Sequence, residues 1–173
     1  MGEGHMSMSS NGQTGKYDKK RHIDRIDARI IHLLQKDGRL PNIEIAKKVG
    51  VSEATVRNRL KRLIEESFIQ IVAVGNPFKL GFNVTGDLYI HAEMKKISRV
   101  IEELKKFREL WYIVMTTGET NINAEFVVET FEDLNDLIIN RISKIDGVVK
   151  TAVSVIMKYE KRAYDFGTPL DEY

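Results

Sequence analysis

The chain has 173 residues, 42% of them hydrophobic and 30% charged, with a formal net charge of +2. This composition is globular, and the length allows one medium domain or two small ones. No stretch approaches the roughly 20 apolar residues that span a bilayer. No basic segment followed by an apolar run opens the chain, so neither a membrane span nor secretion is expected. Cysteine is absent, which excludes disulfides, thiolate zinc sites and cysteine nucleophiles and fits a cytoplasmic location.

The basic residues are concentrated in the first part of the chain. Between Lys16 and Glu66 there are 14 Lys plus Arg against 8 Asp plus Glu, whereas the remainder holds 13 basic and 17 acidic residues. The first part therefore carries a balance of +6 and the rest a balance of −4. Such an asymmetry indicates two domains with different partners, of which the first is suited to a polyanion.

Residues 1–22 show no periodicity and are expected to form a flexible tail. Gly4-His5-Met6 has the sequence of a cleaved expression tag and is left out of the functional argument. Lys19-Lys20-Arg21 has two interpretations of equal weight, a DNA-touching arm or a solvated lead-in.

Three helices are predicted to follow. The first spans about residues 24–36, with an apolar stripe and acidic residues at its start. The second has apolar residues at helical spacing and ends at Gly50, which is free to adopt a positive φ. Ser52 then suits the N-cap of the third helix, since its hydroxyl can accept a hydrogen bond from an orphan backbone N–H. Helix, tight turn and helix in this order predict a helix-turn-helix domain.

The third helix combines an apolar inner stripe with a polar, cationic outer face. A recognition helix needs this division, because it packs on its own domain and offers hydrogen bonds to bases and charge to phosphates. Asn58 and Thr55 are candidates for base readout, and the basic residues are candidates for phosphate contacts. An ordinary surface helix with solvated charges is the alternative. The candidate DNA-binding residues are Ser52, Glu53, Ala54, Thr55, Arg57, Asn58, Arg59, Lys61 and Arg62.

The second half predicts strands and helices in the order βαββαβ, which is the ferredoxin-like pattern. A β-branched segment over 68–74 predicts a linker strand before it. The expected strands are 84–94, 110–116, 121–130 and 148–160, and the expected helices are 97–107 and 132–143. The fold class is thus α+β. The predicted divisions are a tail (1–22), the helix-turn-helix domain (23–67), a linker strand and hinge (68–83), the ferredoxin-like domain (84–161) and a C-terminal tail (162–173).

Several short motifs in this order resemble those of one protein family. They are Ile26-Asp27, Ile31–Arg39, Glu44-Ile45-Ala46, Val49–Ser52, Arg59, Leu63, Pro77, Lys79-Leu80-Gly81, Thr117-Gly118-Glu119, Phe131–Leu134, Ile145–Val148 and Thr151. The chain resembles the Lrp/AsnC (feast/famine) transcription regulators from about Ile23 to Lys161. The resemblance implies an N-terminal DNA-binding domain and a C-terminal domain that dimerises. It also implies further assembly, often to octamers, and small amino acids bound between subunits.

The chain departs from the family pattern at two informative places. Ser67 stands where the family usually has Gly after the third helix, so strain is expected at that helix end. The turn that commonly reads Gly-Asp-Tyr-Asp reads Gly118-Glu119-Thr120-Asn121 here. An aromatic residue and one carboxylate are therefore missing near the family's effector site.

The hairpin turn over 117–121 is nevertheless the candidate effector site. Gly118 allows close backbone approach to a carboxylate, and Glu119 can pair with an ammonium group. A polar amino acid such as glutamine or asparagine suits the remaining side chains better than leucine. A plain β-turn with solvated polar residues is the alternative. The candidate effector-binding residues are Thr117, Gly118, Glu119, Thr120, Asn121 and Asn123.

The predicted function is therefore that of a homo-oligomeric regulator that binds duplex DNA at an inverted repeat. No catalytic residues, metal ligands or cofactor are predicted, because none of the four histidines has metal-ligand spacing and no phosphate loop or Ser–His–acid order is present. An enzyme is the first rival, but a ferredoxin-like fold does not by itself argue for one. The second rival is an oligomeric small-molecule sensor or scaffold without specific DNA binding.

Overall fold

The computed structural model describes residues 22–170, so the predicted arm Lys19-Lys20-Arg21 lies outside the described residues. Contacts within the chain define two compact units. Within the described residues, the first contains 22–72 together with 163–170, and the second runs from Ala73 to Arg162. The chain therefore leaves the first unit once and returns to it at its C-terminal end.

Three helices build the first unit, as the sequence predicts: α1 (Arg25–Lys36), α2 (Asn42–Val49) and α3 (Glu53–Glu65). Gly50 ends α2 with a φ of 83°, and the hydroxyl of Ser52 accepts a hydrogen bond from the backbone N–H of Thr55 at 3.1 Å. Local capping thus fixes the turn between α2 and α3. The three helices share one core, whose fully buried members are Ile30, Ile45, Val56 and Leu63.

The end of α3 shows the strain that the sequence indicates. Ser67 adopts a φ of 60° and is the one non-glycine residue with positive φ among the described residues. Serine in this left-handed region costs roughly 1–2 kcal/mol, which glycine would not incur. The backbone turns here because the N–H groups of Ser67 and Phe68 return to the carbonyls of Ile64 and Leu63.

The prediction of a linker strand over 68–74 was wrong for this structure of one chain. This segment forms no strand, and Ile71, Val72 and Val74 are exposed. An extended segment becomes a strand only when another strand pairs with its backbone N–H and C=O groups. Within residues 22–170 this segment has no such neighbour. The β-branched composition of the segment favours a strand, but composition does not show whether a second strand pairs with it.

The C-terminal segment belongs to the first unit. The side-chain amide of Gln35 in α1 donates a hydrogen bond to the carbonyl of Gly167 at 3.4 Å, and Thr168 is buried. This is a long-range contact, because 132 positions separate the two residues in the sequence. The segment after residue 162 therefore packs as part of the helical unit.

The second unit has the predicted ferredoxin-like order. Its elements are β1 (Val84–Ala92), α4 (Ile97–Leu104), β2 (Leu110–Met115), β3 (Ile122–Val128), α5 (Phe131–Asn135) and β4 (Val148–Val155). The strands form one antiparallel sheet in the order β2-β3-β1-β4. Strands β1 and β4 are thus neighbours although more than 50 residues separate them in the chain.

The predicted single helix over 132–143 is divided. After α5 the backbone widens into π-helical turns over Asp136–Arg141 and closes with a 3₁₀ turn over Ile142–Lys144. In an α-helix Ile142 would point about 140° away from Leu137, because five residues turn the chain by about 500°. The i→i+5 hydrogen bonds of a π-helix bring the two onto nearly the same face. Both are fully buried, so core packing favours the wider turn.

The two faces of the sheet differ in character. Residues at alternate positions of β1 and β3 are buried beneath the helices: Val84, Leu88, Ile90, Ile122, Ala124 and Phe126. The opposite face carries polar side chains, among them Asp87 and its direct cross-strand neighbour Glu125. Burial and the adjacent Asp87 carboxylate raise the pKa of Glu125, against an opposing effect of Arg162. This open face is therefore polar and contains two neighbouring acids.

Gly86 in β1 has no space for a side chain beside β4, and replacing it with alanine tests the packing of the sheet. A Cβ at this position would lie 2.0 Å from the backbone carbonyl oxygen of Ser154 and 3.0 Å from the Phe126 ring. Because backbone cannot move aside as a flexible side chain does, Gly86→Ala should destabilise the second unit by about 3 kcal/mol or more. Urea unfolding followed by hydrogen exchange in β1 and β4 measures this.

Gly38→Ala is the matched control. A Cβ at Gly38 would make an ordinary contact of 3.6 Å with Ile71, and this change should alter stability by less than about 1 kcal/mol. Equal stability of the Gly86→Ala and Gly38→Ala proteins would contradict the described approach of the two strands.

Candidate functional site

The outer face of α3 presents the candidate recognition residues to solvent. Asn58, Arg57 and Lys61 are exposed. The Thr55 hydroxyl lies 2.8 Å from the hydroxyl of Ser52, so the helix cap orients it. The other candidate positions at the start of the helix are also exposed: Ser52, Glu53 and Ala54. The α3 surface is thus accessible over the side that the sequence indicates.

Arg59 and Arg62 form ion pairs within the helical unit. Arg59 donates hydrogen bonds to Asp24 at 2.6 Å and to Asp27 at 3.0 Å, and Arg62 donates to the second oxygen of Asp27 at 2.5 Å. The Asp27 side chain is only 1% exposed. Both guanidinium groups therefore turn towards α1 because a buried carboxylate requires cationic partners. They thus have a structural role inside the domain, and their role as phosphate contacts stays a prediction.

The carboxylates of α1 are organised around these arginines. Asp24 and Asp27 form a reciprocal capping box at the start of α1, in which each side chain accepts the other's backbone N–H. Burial acts to raise the pKa of Asp24, but hydrogen bonds from Arg59 and from the backbone N–H of Asp27 outweigh it and lower the pKa. The stabilisation from Asp24 is therefore present above its ordinary pKa and is lost as the pH falls through the lowered value. The hydrogen bond to Asp24 is the largest effect that raises the pKa of Arg59.

Two exposed cations remain on the outer side of α3. Arg57 pairs with Glu53 at 2.9 Å and Lys61 with Glu65 at 3.7 Å, each across one helical turn. Such exposed pairs contribute only about 0.3–0.5 kcal/mol. A polyanion can therefore displace either carboxylate at little cost.

Arg29, by contrast, donates to the carbonyls of Lys48 and Val49 and stabilises the C-terminal end of α2.

The second unit contains a surface cavity of about 490 Å³ where β1, β4 and the 117–121 turn meet. It is lined by Tyr89, His91, Glu119, Thr120, Lys150 and Ala152. Of the six predicted effector residues, Glu119 and Thr120 line it. Tyr89 and His91 are direct cross-strand partners of Ala152 and Lys150, which places these four side chains on the open face of the sheet.

Asn121 and Asn123 are engaged within the protein. The carboxamide of Asn121 accepts from the backbone N–H of Ala92 at 2.9 Å and donates to its carbonyl at 2.7 Å. It thereby extends the pairing of β1 with the β3 side beyond the last backbone pair, Ile90 with Ile122. Asn123 accepts a hydrogen bond from the Thr120 hydroxyl at 3.0 Å. Both polar atoms of Asn121 therefore serve the sheet, and its contact with a ligand stays a prediction.

Sequence reasoning missed four lining residues: Tyr89, His91, Lys150 and Ala152. Period-two alternation places Tyr89 and His91 on one face of β1, and it places Lys150 and Ala152 on one face of β4. No local pattern gives the register that puts His91 opposite Lys150, because the strands are distant in sequence. Thr117 and Gly118 lie in the turn but do not line the cavity.

Among residues 22–170, no group of three or more His, Cys, Asp or Glu side chains is arranged to hold a metal ion. Over the same residues, no helix has the length and apolar character needed to cross a membrane.

Comparison with known proteins agrees with both units. Residues 23–64 match the model of the AsnC-type helix-turn-helix domain, and residues 88–165 match that of the Lrp/AsnC ligand binding domain. An uncharacterized HTH-type transcriptional regulator of Pyrococcus horikoshii is 36% identical over 152 residues, which cover 87% of this chain and 96% of that protein.

Solved structures show the same fold at lower identity. The structure of Escherichia coli AsnC has a TM-score of 0.74 at 24% identity and covers 82% of this chain and 97% of that one. A Neisseria meningitidis regulator in complex with L-Met has a TM-score of 0.77 at 22% identity, covering 87% of this chain and 98% of that one.

The two units thus define a helix-turn-helix protein with a ligand-binding domain of ferredoxin-like topology. The chain belongs to the Lrp/AsnC family of transcriptional regulators. This family is not enzymatic.

The network around Asp27 predicts the effect of one substitution of equal size on stability. Asp27→Asn keeps the side-chain volume and one oxygen for the helix cap, but it removes the charge and turns the other oxygen, which accepts from an arginine, into an NH2 donor. The free energy of unfolding of the helical unit should fall by about 2–3 kcal/mol, since charge-assisted hydrogen bonds are lost at a buried position. Hydrogen exchange of the α1 and α3 amides resolves this unit from the other.

Glu44→Gln is the control, because Glu44 forms an exposed pair with Lys47 at 3.1 Å. Its loss should cost less than about 0.5 kcal/mol. If Asp27→Asn were equally mild, the two arginines would not depend on the Asp27 charge.

Proposed function

We propose that this regulator binds duplex DNA sequence-specifically through the outer face of α3. The observation that carries the proposal is the division of α3. Its inner side packs on α1 and α2 and is tied to Asp27, while Asn58, Arg57 and Lys61 are exposed together. An exposed amide between two cations suits base readout flanked by phosphate contacts.

The residues of α3 divide into different proposed roles. Asn58 and Thr55 contribute to base readout, and Arg57 and Lys61 contact phosphates. Ser52, Glu53 and Ala54 lie at the N-terminal end of the helix, the part that approaches base edges in helix-turn-helix proteins. Arg59 and Arg62 act indirectly, because their bonds to Asp27 hold the rotation of α3 about its axis.

Two substitutions separate readout from charge. Asn58→Ala should reduce discrimination between operator and random DNA by about 1–3 kcal/mol, the value of a bidentate contact to adenine. Lys61→Ala should weaken binding to every sequence and flatten the dependence of log K on log salt by about one unit. Mobility shifts on both DNAs over a salt series measure the two effects.

Lys144→Ala, an exposed lysine of the second unit, is the matched charge control and should leave the salt slope unchanged. Full retention of discrimination by Asn58→Ala would remove that residue from readout. Absence of any preference for an operator in the unmodified protein would favour the alternative function, an oligomeric small-molecule sensor or scaffold without specific DNA binding.

We further propose that the protein acts as a homodimer that assembles to a higher oligomer such as an octamer. Two features support self-association. The 68–74 segment, exposed over 70–74, has a strand-forming sequence without a strand partner within residues 22–170, and an antiparallel sheet leaves one face open. A location in the cytoplasm, expected from the sequence, accompanies this proposal.

A dimer with two recognition helices should prefer an inverted repeat. Its half-sites should be about one helical turn, roughly 34–36 Å, or a multiple of it apart, because a two-fold axis of the protein matches one in the operator. Footprinting of operators with half-sites moved by half a turn should show weakened binding, and restoring a full turn should recover it. Protection of a single half-site by a monomer would argue against a two-fold arrangement.

Binding of a small amino acid by the C-terminal unit completes the proposed function. The related Neisseria meningitidis structure contains L-Met, which shows an amino acid on this fold in that protein. In this chain the turn over 117–121 borders a cavity with polar and charged walls. A ligand held there changes DNA affinity only if it binds one state or assembly more tightly than another.

A further inference from the structure

The segment 163–170, called the C-terminal strap below, is the part of the helical unit that comes from the far end of the chain. The side-chain amide of Gln35 donates to the carbonyl of Gly167 at 3.4 Å, and Thr168 is buried. The Thr168 hydroxyl accepts from the backbone N–H of Leu170 at 3.3 Å. Gly167 has a φ of 72°, in the left-handed region that favours glycine. The strap therefore meets α1 through a local turn of defined conformation.

The contact between the strap and α1 is only partly satisfied. The Oε1 atom of Gln35 is buried and has no hydrogen-bond partner among residues 22–170. A buried acceptor without a donor costs free energy, which offsets part of what the hydrogen bond to Gly167 contributes. The large apolar side chains of the strap add little, because Phe166 is 82% exposed and Leu170 is 43% exposed. None of residues 163–170 belongs to the core that the three helices share, so the strap can open without unfolding them.

The residue that precedes the strap is fixed in the second unit. Arg162 donates to the carbonyl of Gly75 at 3.4 Å, and its guanidinium carbon lies 5.2 Å from the centre of the Tyr159 ring. The Tyr159 ring in turn meets the Phe78 ring edge-on, with 6.0 Å between their centres. The chain connects the two units at two places, after Val72 and after Arg162. The bond from Arg162 to Gly75 therefore holds the starts of both connections together within the second unit.

We propose that the docked strap is a second, releasable tether between the two units, which restricts the movement of the helical unit. With the strap docked, two connections that start beside each other lead to the helical unit. With the strap released, only the connection after Val72 remains. A second connection restricts a linked domain because it removes conformations that a single flexible connection allows.

Such a tether affects recognition of two half-sites at once. A dimer that holds two recognition helices with little freedom loses little entropy when both bind, but it fits one half-site spacing. A dimer with released straps loses more entropy and tolerates other spacings. The tether thus goes beyond the proposed binding of DNA and of an amino acid, and only the last of its tests uses DNA.

Movement of the helical unit can be measured without DNA, because the chain has no cysteine and a single introduced one can be labelled. A fluorophore on Lys48→Cys reports on the helical unit, and one on Lys144→Cys reports on the second unit; both positions are exposed. Ending the chain at Arg162 should increase the fast component of time-resolved anisotropy at the first label. The second label should show no change, and circular dichroism should confirm unchanged folding.

Two substitutions release the strap without shortening the chain. Gln35→Glu replaces the donor to Gly167 by a carboxylate, which only accepts. Gly167→Ala places a Cβ in the left-handed region and should shift the docking equilibrium about 5- to 30-fold towards release. Both should increase the fast component at the Lys48→Cys label.

Each substitution has a matched control. Lys36→Gln changes the charge of the same turn of α1 by the same amount at an exposed position. Gly81→Ala introduces the same kind of backbone strain in the second unit, at a φ of 97° where an added Cβ meets nothing within 4 Å. Neither control should alter the anisotropy of the Lys48→Cys label.

A flexible insertion separates a tether from a local packing contact. About six Gly and Ser residues inserted between Arg162 and Ala163 lengthen the connection but leave the whole strap able to dock on α1. A tether predicts that the fast component at the Lys48→Cys label increases as it does after deletion. If the insertion has no effect although deletion does, the strap only stabilises α1 and the proposal is overturned.

On DNA, the insertion variant should be less selective for half-site spacing. For the unmodified protein, moving the half-sites by half a turn should raise the Kd, and the ratio of the two Kd values should fall towards one in the variant. Lys36→Gln should keep the original ratio. An unchanged ratio in the insertion variant would overturn the effect on spacing. If the protein binds no operator, the proposed DNA recognition falls, while the anisotropy measurements still decide whether the strap is a tether.

Discussion

The buried carboxylate of Asp27 is the interaction on which the geometry of the DNA-binding unit depends. It lies in the first turn of α1, where it completes the helix cap, and it accepts hydrogen bonds from two arginines of α3. An apolar stripe alone leaves a helix some freedom to rotate about its axis. Hydrogen bonds from two guanidinium groups to one buried carboxylate remove that freedom. The exposed side of α3 is thus set from inside the domain. Arg59 and Arg62 look like phosphate ligands in the sequence. In the structure they orient α3, and with it the exposed cations Arg57 and Lys61.

The second unit uses charge differently. An antiparallel sheet can leave one face to water, and here that face holds Asp87 beside Glu125 as well as the unpaired Lys150 and Glu119. Neighbouring carboxylates oppose further burial, because desolvation and repulsion both act on the charged form. Any molecule that covers this face must bring compensating charges or leave the acids hydrated. Any molecule that approaches this face therefore meets the same few side chains.

The sequence predicted most of the fold because its local signals agree with the tertiary structure. Gly50 and Ser52 define the turn before α3 through their own backbone and hydroxyl chemistry. Strand alternation and helical stripes gave the βαββαβ order, which the structure confirms. The errors arose where the structure of a segment depends on contacts with residues outside that segment. The segment 68–74 has strand composition but no neighbour in the chain, and the helix after Phe131 widens so that Ile142 reaches the core.

The candidate sites show the same limit at the level of single side chains. A helical wheel gave the exposure of Asn58 and Lys61, because one helix determines which side faces outward. It could not show that Arg62 reaches Asp27, 35 positions earlier. In the other unit, the local turn gave Glu119, whereas Lys150 enters the same cavity only through the register of β4 on β1. Asn121 is a further example. In the sequence its amide looked available to a ligand, but in the structure it takes the place of a backbone partner for Ala92. Polar groups near a site become candidates for recognition only after the needs of the fold are met, and those needs are mostly non-local.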